Sequence, residues 1–263
     1  MGIAPPGPLH TMATHIPEAP PTPPLAWLRV RHAGAVLTLG AAPLAGVAWS
    51  VLVPLFTGSM ATEVAGIAAA PGRFLLGTYL GVLMSFLMVA AALVLGRLLR
   101  PRAPVAGDLA AACCALGACF HGGVLVFQLA ELAVIAGTPD RALATTVVTR
   151  LFEHTAFLLV LAPFLAFYVG LVGFAVLLLV RRAAPRWVPV LLLIAVPIEL
   201  AGPMPWKARL FFALLLAAFL GLAHAVWRLG AAAWAERDGR PVKPSPAQPD
   251  LAARPTAPLQ VWA

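Results

Sequence analysis

The sequence predicts an all-α membrane protein, a polytopic bundle of six transmembrane helices with cytoplasmic N- and C-termini. Of its 263 residues, 61% are hydrophobic and 11% are charged, whereas a soluble domain carries about 25% charged residues. The apolar residues stand in runs of about 20, the length that crosses a bilayer core as a helix. A membrane β-barrel would instead show segments of about ten residues that alternate between apolar and polar.

Three of the predicted spans lie in the first half of the chain, at residues 33–56, 74–96 and 109–136. Asp108 stands directly before the third run, where its side chain is expected to cap the first turn of the helix. Gly137 follows the same run and is expected to end the helix, because glycine adopts the backbone conformation of a helix C-terminus without strain.

The second half contributes the other three spans, at residues 151–180, 187–204 and 208–229. The fifth is short, and Pro189 and Pro197 interrupt it. Neighbouring helices in a membrane can tolerate such prolines because they supply partners for the freed backbone groups. The bundle is therefore predicted to contain one broken element.

Segments outside the spans have a different composition. Residues 1–28 and 236–263 are rich in proline and are predicted to be disordered tails, which leaves residues 29–235 as the transmembrane domain. Residues 57–72 are predicted to form a loop that carries a single acid, Glu63.

The net charge of +8 is explained by membrane orientation rather than by nucleic-acid binding, since the basic residues stand between the apolar runs. With six spans, 13 of the 18 Lys and Arg residues fall on the side of the termini and 5 fall on the other side. Cytoplasmic loops carry the excess of positive charge. The expected location is a bacterial plasma membrane, with the lipid bilayer as partner and no nucleic acid.

The second span contains a stripe of small residues, Gly77, Gly81 and Ser85, spaced four residues apart. Residues at this spacing share one helix face. Small side chains on that face let another helix approach closely. The stripe is therefore predicted to be a packing surface inside the bundle.

Five polar residues are predicted to lie at a similar depth in the outer half of the membrane: Gln128, Glu131, Glu153, His154 and Glu199. Ionisable groups at membrane depth are costly unless they face water, protein or each other. A hairpin between the third and fourth spans would bring Glu131 close to Glu153 and His154. The group is either an interfacial or interhelical hydrogen-bond network or a site for a ligand, proton or cation.

Three histidines lie within the spans, and we tested them as haem ligands. His121 and His154 differ in depth by about 15 to 18 Å, and His224 matches neither. Two axial ligands must lie at the same depth, so no haem and no other cofactor is expected.

Two short segments carry a resemblance to known sequences, PGRFLLG at residues 71–77 and RRAAPRW at residues 181–187. With the six-span pattern, they resemble a broad group of uncharacterised integral membrane proteins of high-GC bacteria, which are known only as domains of unknown function. The resemblance covers residues 33–235. It implies a plasma-membrane location and carries over no catalytic residue.

Motifs of soluble enzymes are missing from the sequence, which contains no HExxH, GxSxG, P-loop or dinucleotide fingerprint. The leading hypothesis is a non-catalytic plasma-membrane protein with a small polar cavity that opens outward. One alternative is a proton- or cation-coupled transporter or permease component. Another is a membrane-embedded enzyme or metal-site protein, because carboxylates and an imidazole suit a divalent cation.

Overall fold

The computed structural model describes residues 24–54, 59–201, 204 and 206–237, so most of the two predicted tails lies outside the described residues. Within these ranges the chain forms helices and no strand. In chain order they are α1 Leu25–Leu52, α2 Met60–Ala69, α3 Pro71–Leu99, α4 Pro104–Gly137, α5 Arg141–Glu153, α6 Thr155–Phe164, α7 Ala166–Arg181, α8 Trp187–Leu200 and α9 Lys207–Glu236.

In the described part of the chain, five stretches of helix are long and apolar enough to cross a membrane: Ala26–Leu52, Pro71–Leu99, Pro104–Gly137, Leu159–Arg181 and Lys207–Glu236. The prediction of an all-α, multi-pass membrane protein is confirmed at this level. The sixth predicted span is represented by α8, which has 14 residues and is therefore about 21 Å long. That length is less than the roughly 30 Å of a bilayer core.

The long predicted span at residues 151–180 is instead divided. α5 ends at Glu153, and His154 has an extended backbone with ψ of 141°. A second break follows Phe164, because Pro163 lacks the N–H of an interior helix residue. The result is a separate amphipathic helix, α5, followed by two shorter helices, α6 and α7.

Two other predictions about local structure differ from what is observed. Asp108 does not cap α4, because the helix already begins at Pro104, and proline is well suited to the first position of a helix. Asp108 Oδ1 instead accepts a hydrogen bond from Arg100 Nε at 3.4 Å. The predicted loop at residues 57–72 contains α2, capped by Ser59, whose Oγ accepts from the backbone N–H of Thr62.

The longer helices pack as a closed ring in the order α3, α1, α9, α8, α7, α4 and back to α3. Neighbours in this ring are antiparallel, because residues early in one helix contact residues late in the next. Thr78 on α3 meets Gln128 on α4, for example, and His32 on α1 meets Val226 on α9. Successive long helices therefore run in opposite directions between the two ends of the bundle.

These ends differ in structure. α1 begins and α9 ends at one of them, which we name the terminal end. At the opposite end α2 packs against α5, and both helices contact α4. We name this the capped end, since the two short helices lie over the ring there.

The small-residue stripe of α3 lies at the join of three helices. A Cβ atom on Gly77 would stand 2.6 Å from Val53 of α1, and one on Gly81 would stand 2.8 Å from Trp49 of α1 and 2.9 Å from Leu125 of α4. The Ser85 hydroxyl is buried and donates to the carbonyl of Gly81. The stripe thus brings α1 and α4 close to α3.

Candidate functional site

A cavity of about 360 Å³ lies inside the helix ring. This volume falls within the range of small-molecule sites in proteins, roughly 300 to 1,000 Å³. All nine described helices contribute side chains to its lining, from Trp49 on α1 to Phe212 on α9. The cavity is therefore a feature of the whole ring rather than of one helix pair.

The apolar wall of the cavity contains a closed circuit of aromatic side chains, which we name the aromatic belt. Each ring contacts the next, with centroids 4.9 to 6.1 Å apart. This is the separation at which edge-to-face and tilted pairs stabilise each other. In order, the belt consists of Trp49, His121, Phe164, Tyr168, Phe211 and Phe212.

His121 is held in the belt by its neighbours. Its Nδ1 and the hydroxyl of Ser85 are 2.9 Å apart, and the edge of one ring meets the face of the other between His121 and Trp49. Phe164 lies on another side at 5.1 Å between ring centroids. The imidazole is thereby fixed in orientation, and Ser85 gives the small-residue stripe a role at the cavity as well as in packing.

Glu131 is the most deeply buried acid in the described part of the chain, with 1% of its surface exposed. Its Oε1 has no hydrogen-bond partner among the described residues. Gln128, one turn earlier on α4, is also buried, and its Oε1 lies 3.4 Å from the hydroxyl of Thr78. Both residues line the cavity, so α4 presents a polar edge there.

Glu199 approaches the cavity from α8. Its Oε2 is buried and has no hydrogen-bond partner among the described residues. The ammonium group of Lys207 donates to the backbone carbonyl of Glu199 at 3.2 Å and to that of Ala201 at 3.4 Å. Lys207 thus holds the α8–α9 connection and places positive charge near this carboxyl group.

Glu63 is a third acid of the cavity, contributed by α2. Burial raises its pKa to about 7, and its charge lies close enough to that of Glu131 for the two to interact. The spacing of apolar residues in this segment is a sequence signal for the position of Glu63. Met60, Glu63, Val64 and Ile67 are spaced so that they share one helix face, which would have placed the lone acid of the segment on the buried side.

The predicted polar residues are therefore divided by the structure. Gln128, Glu131 and Glu199 line one cavity, together with Glu63 and His121. Glu153 and His154 are exposed and lie outside the cavity lining. They stand at the break after α5, where the chain turns and brings Phe152 and Phe157 to the cavity in their place.

The polar atoms without partners are concentrated at this site. Among the described residues, the buried side-chain atoms that make no hydrogen bond are Trp49 Nε1, Glu131 Oε1 and Glu199 Oε2. All three residues line the cavity. Buried polar atoms are hydrogen-bonded in the great majority of cases, so water or a bound ligand is expected to supply the partners of these three atoms.

A metal centre is not favoured by the arrangement of side chains. In residues 24–54, 59–201, 204 and 206–237, no three His, Cys, Asp or Glu side chains are grouped as metal ligands would be. The carboxyl groups come from three different helices, α2, α4 and α8. The arrangement instead suits a molecule with an apolar body and hydrogen-bond donors at one end.

Comparison with known proteins places the chain in a family without assigning an activity. The chain shows no significant match to a curated protein or to a solved structure. The model of one family, described as a domain of unknown function (DUF4386), matches residues 33–235. This match covers α2 to α8 completely, residues 33–52 of α1 and all but the last residue of α9, and the chain belongs to the DUF4386 family.

Proposed function

We propose that the protein is a non-catalytic binding protein of the bacterial plasma membrane, and that its cavity binds a small amphipathic molecule. The observation that carries this proposal is the convergence of the unpaired atoms Trp49 Nε1, Glu131 Oε1 and Glu199 Oε2 on one cavity. The aromatic belt would hold the apolar part of the ligand, and the carboxyl groups would receive its polar end.

Energetics favour a binding role over structural hydrogen bonding. A buried polar group without a partner costs about 1 to 3 kcal/mol, and more for a charged group. A purely structural Glu131 would be expected to satisfy its oxygens within the bundle, as Ser85 and Thr78 do. A residue that keeps an unpaired oxygen at a cavity is instead prepared for a partner from outside the chain.

Binding is tested with three probes of equal size: 4-phenylbutanol, 4-phenylbutylamine and 4-phenylbutyrate. The proposal expects at least one of them to raise the melting temperature of the detergent-purified protein. Val124→Phe, which fills part of the cavity, should abolish the rise. Val126→Phe is the matched control, because Val126 lies on the same helix and is exposed. Failure of all three probes to bind the wild type would contradict the proposal.

The direction in which the cavity faces is also part of the proposal. The predicted loops at the terminal end carry 13 basic residues and those at the capped end carry 5, which supports a cytoplasmic terminal end and an outward capped end. Labelling with a membrane-impermeant thiol reagent tests this in a cysteine-free background. A cysteine replacing Pro139 should react from outside and one replacing Pro101 only from inside. The reverse pattern would overturn the orientation.

Transport is a second candidate function, favoured by the interrupted helices beside the cavity. Transporters use broken helices to form substrate sites near the middle of the membrane. Here the helix is irregular at Leu165, between α6 and α7 and next to Phe164 of the belt, and α8 contains Pro197 two residues before Glu199.

Transport can be separated from binding in proteoliposomes. 4-Phenylbutylguanidine is a suitable probe, because it stays charged and crosses protein-free liposomes slowly. A carrier should accelerate its uptake, and Val124→Phe should remove the acceleration while Val126→Phe retains it. Binding without accelerated uptake would exclude a carrier and leave the binding role.

A further inference from the structure

The acids of the cavity lie toward the capped end of the helix ring. On α4, His121 of the aromatic belt and Glu131 are ten residues apart, which corresponds to about 15 Å along the helix. Glu63 approaches from α2, at the capped end. Met84 and Met88 line the cavity on α3, on the side of the terminal end. The acids of the cavity therefore lie toward the capped end, among apolar side chains that line its whole length.

The lining of the cavity contains more acidic than basic side chains. Three carboxyl groups line the cavity, and no Lys or Arg side chain in the described part of the chain does so. Lys207 lies near Glu199 and donates to its backbone carbonyl. Near the same end, Arg73 donates to the carbonyl of Val51.

Other cations at the capped end are also engaged with backbone oxygens. Arg141 donates to the carbonyl of Ile135, and Arg209 donates to that of Ser50. Within the described residues, the pair formed by Glu63 and Glu131 therefore has no basic side chain beside it in the cavity lining.

The unpaired atoms at this end are mainly acceptors. Glu131 Oε1 and Glu199 Oε2 are carboxyl oxygens, which when ionised can only accept hydrogen bonds. An ammonium group carries one positive charge and three donors. Hydrogen bonds between an ammonium and a carboxylate are shorter and stronger than those between neutral groups. A protonated amine thus matches both the charge and the donor requirement of the site.

Resting on the function proposed above, we propose that the ligand class is a hydrophobic primary amine in its protonated form. Its ammonium group lies between Glu131 and Glu63, and its apolar or aromatic body lies within the aromatic belt. A chain of a few methylene groups links the two ends, since the acids and the belt are separated along α4. A carboxylate ligand would be repelled by the acids, and an alcohol would leave their charge unbalanced.

The same three probes distinguish this ligand class from the general binding role. The amine should bind at least tenfold more tightly than 4-phenylbutanol at pH 8, and 4-phenylbutyrate should bind most weakly. Equal affinities for amine and alcohol, or tightest binding of the carboxylate, would overturn the amine assignment while the binding role stands. If none of the probes binds, the binding role itself fails.

Site-directed variants locate the ammonium group. Glu131→Gln should lower the amine affinity about tenfold and leave the affinity for 4-phenylbutanol nearly unchanged. Glu153→Gln is the matched control, because it makes the same chemical change at an exposed position outside the cavity. Should Glu131→Gln fail to fold, Glu63→Gln provides the same comparison from another helix. An unchanged ratio of amine to alcohol affinity in the folded variant would contradict the proposal.

Discussion

Gly81 on α3 and Trp49 on α1 are packed so closely that a Cβ atom on the glycine would stand 2.8 Å from Cδ1 of the indole. The same Cβ atom would stand 2.9 Å from a side-chain carbon of Leu125 on α4. Three helices therefore meet at a point where only a hydrogen atom fits. Because Trp49 also belongs to the aromatic belt, the packing of the ring and the shape of the cavity depend on one glycine.

Gly81→Ala should lower the stability of the protein. The added methyl group forces Trp49 or Leu125 to move, and overpacking of this kind costs about 1 to 3 kcal/mol. Thermal unfolding in detergent measures the loss. Gly72→Ala is the control, because a Cβ there would meet nothing within 4 Å. A melting temperature for Gly81→Ala equal to that of Gly72→Ala would show that the α1–α3 contact is looser than described.

The pKa of Glu63, raised to about 7 by burial, predicts a specific dependence of stability on pH. The folded protein keeps the proton on this carboxyl group at pH values where the unfolded chain, with its pKa of about 4.5, has lost it. The folded state therefore binds more protons, so stability is greatest below pH 4.5 and falls as the pH rises through 7.

Melting temperatures measured from pH 5 to pH 8 test this dependence in wild type and in Glu63→Gln. The neutral variant should gain stability relative to wild type as the pH rises, since its side chain cannot ionise. Glu153→Gln should show no such gain, because its carboxyl group is exposed. A constant difference between Glu63→Gln and wild type across the range would mean that Glu63 does not titrate in a buried setting.

Asp140 is predicted to stabilise α5 as its N-cap. Its Oδ1 accepts from the backbone N–H of Ala142 at 2.9 Å and of Leu143 at 3.4 Å. Removing such a cap costs about 1 kcal/mol, so Asp140→Ala should increase hydrogen exchange in residues 141–153. Asp108→Ala should leave exchange in α4 unchanged, because α4 begins at Pro104. Faster exchange at the start of α4 in Asp108→Ala would contradict this assignment of the two helix starts.

The membrane class and the long helices could be predicted because they depend on local composition. Apolar runs of sufficient length specify helices in a bilayer whatever their neighbours are. Gln128 and Glu131 line the same cavity, one turn apart, because α4 is continuous there. The predicted end of the last span differs from the observed end of α9. The span was predicted to end at residue 229, whereas α9 continues to Glu236. Between them, Gly230 has a φ of 73°, which interrupts the regular helical geometry.

The remaining features depend on contacts between distant parts of the chain. Glu153 and His154 were placed by assuming an unbroken helix, whereas the amphipathic α5 packs against α2 and turns away at His154. Glu63 was assigned to a loop because its segment is short, and only packing of α2 over the ring brings it to the cavity. The start of α4 could have been read from Pro104, which is a better helix-start signal than Asp108.

The central claim is that a small molecule enters the cavity near Glu131, and protection of a cavity thiol tests it most directly. In a background without Cys113, Cys114 and Cys119, Val124→Cys is treated with N-ethylmaleimide in the presence and absence of 4-phenylbutylamine. The account predicts that the amine slows labelling at residue 124 severalfold and leaves labelling of Thr146→Cys, on the exposed face of α5, unchanged. Equal labelling rates at residue 124 with and without a saturating concentration of the amine would contradict it.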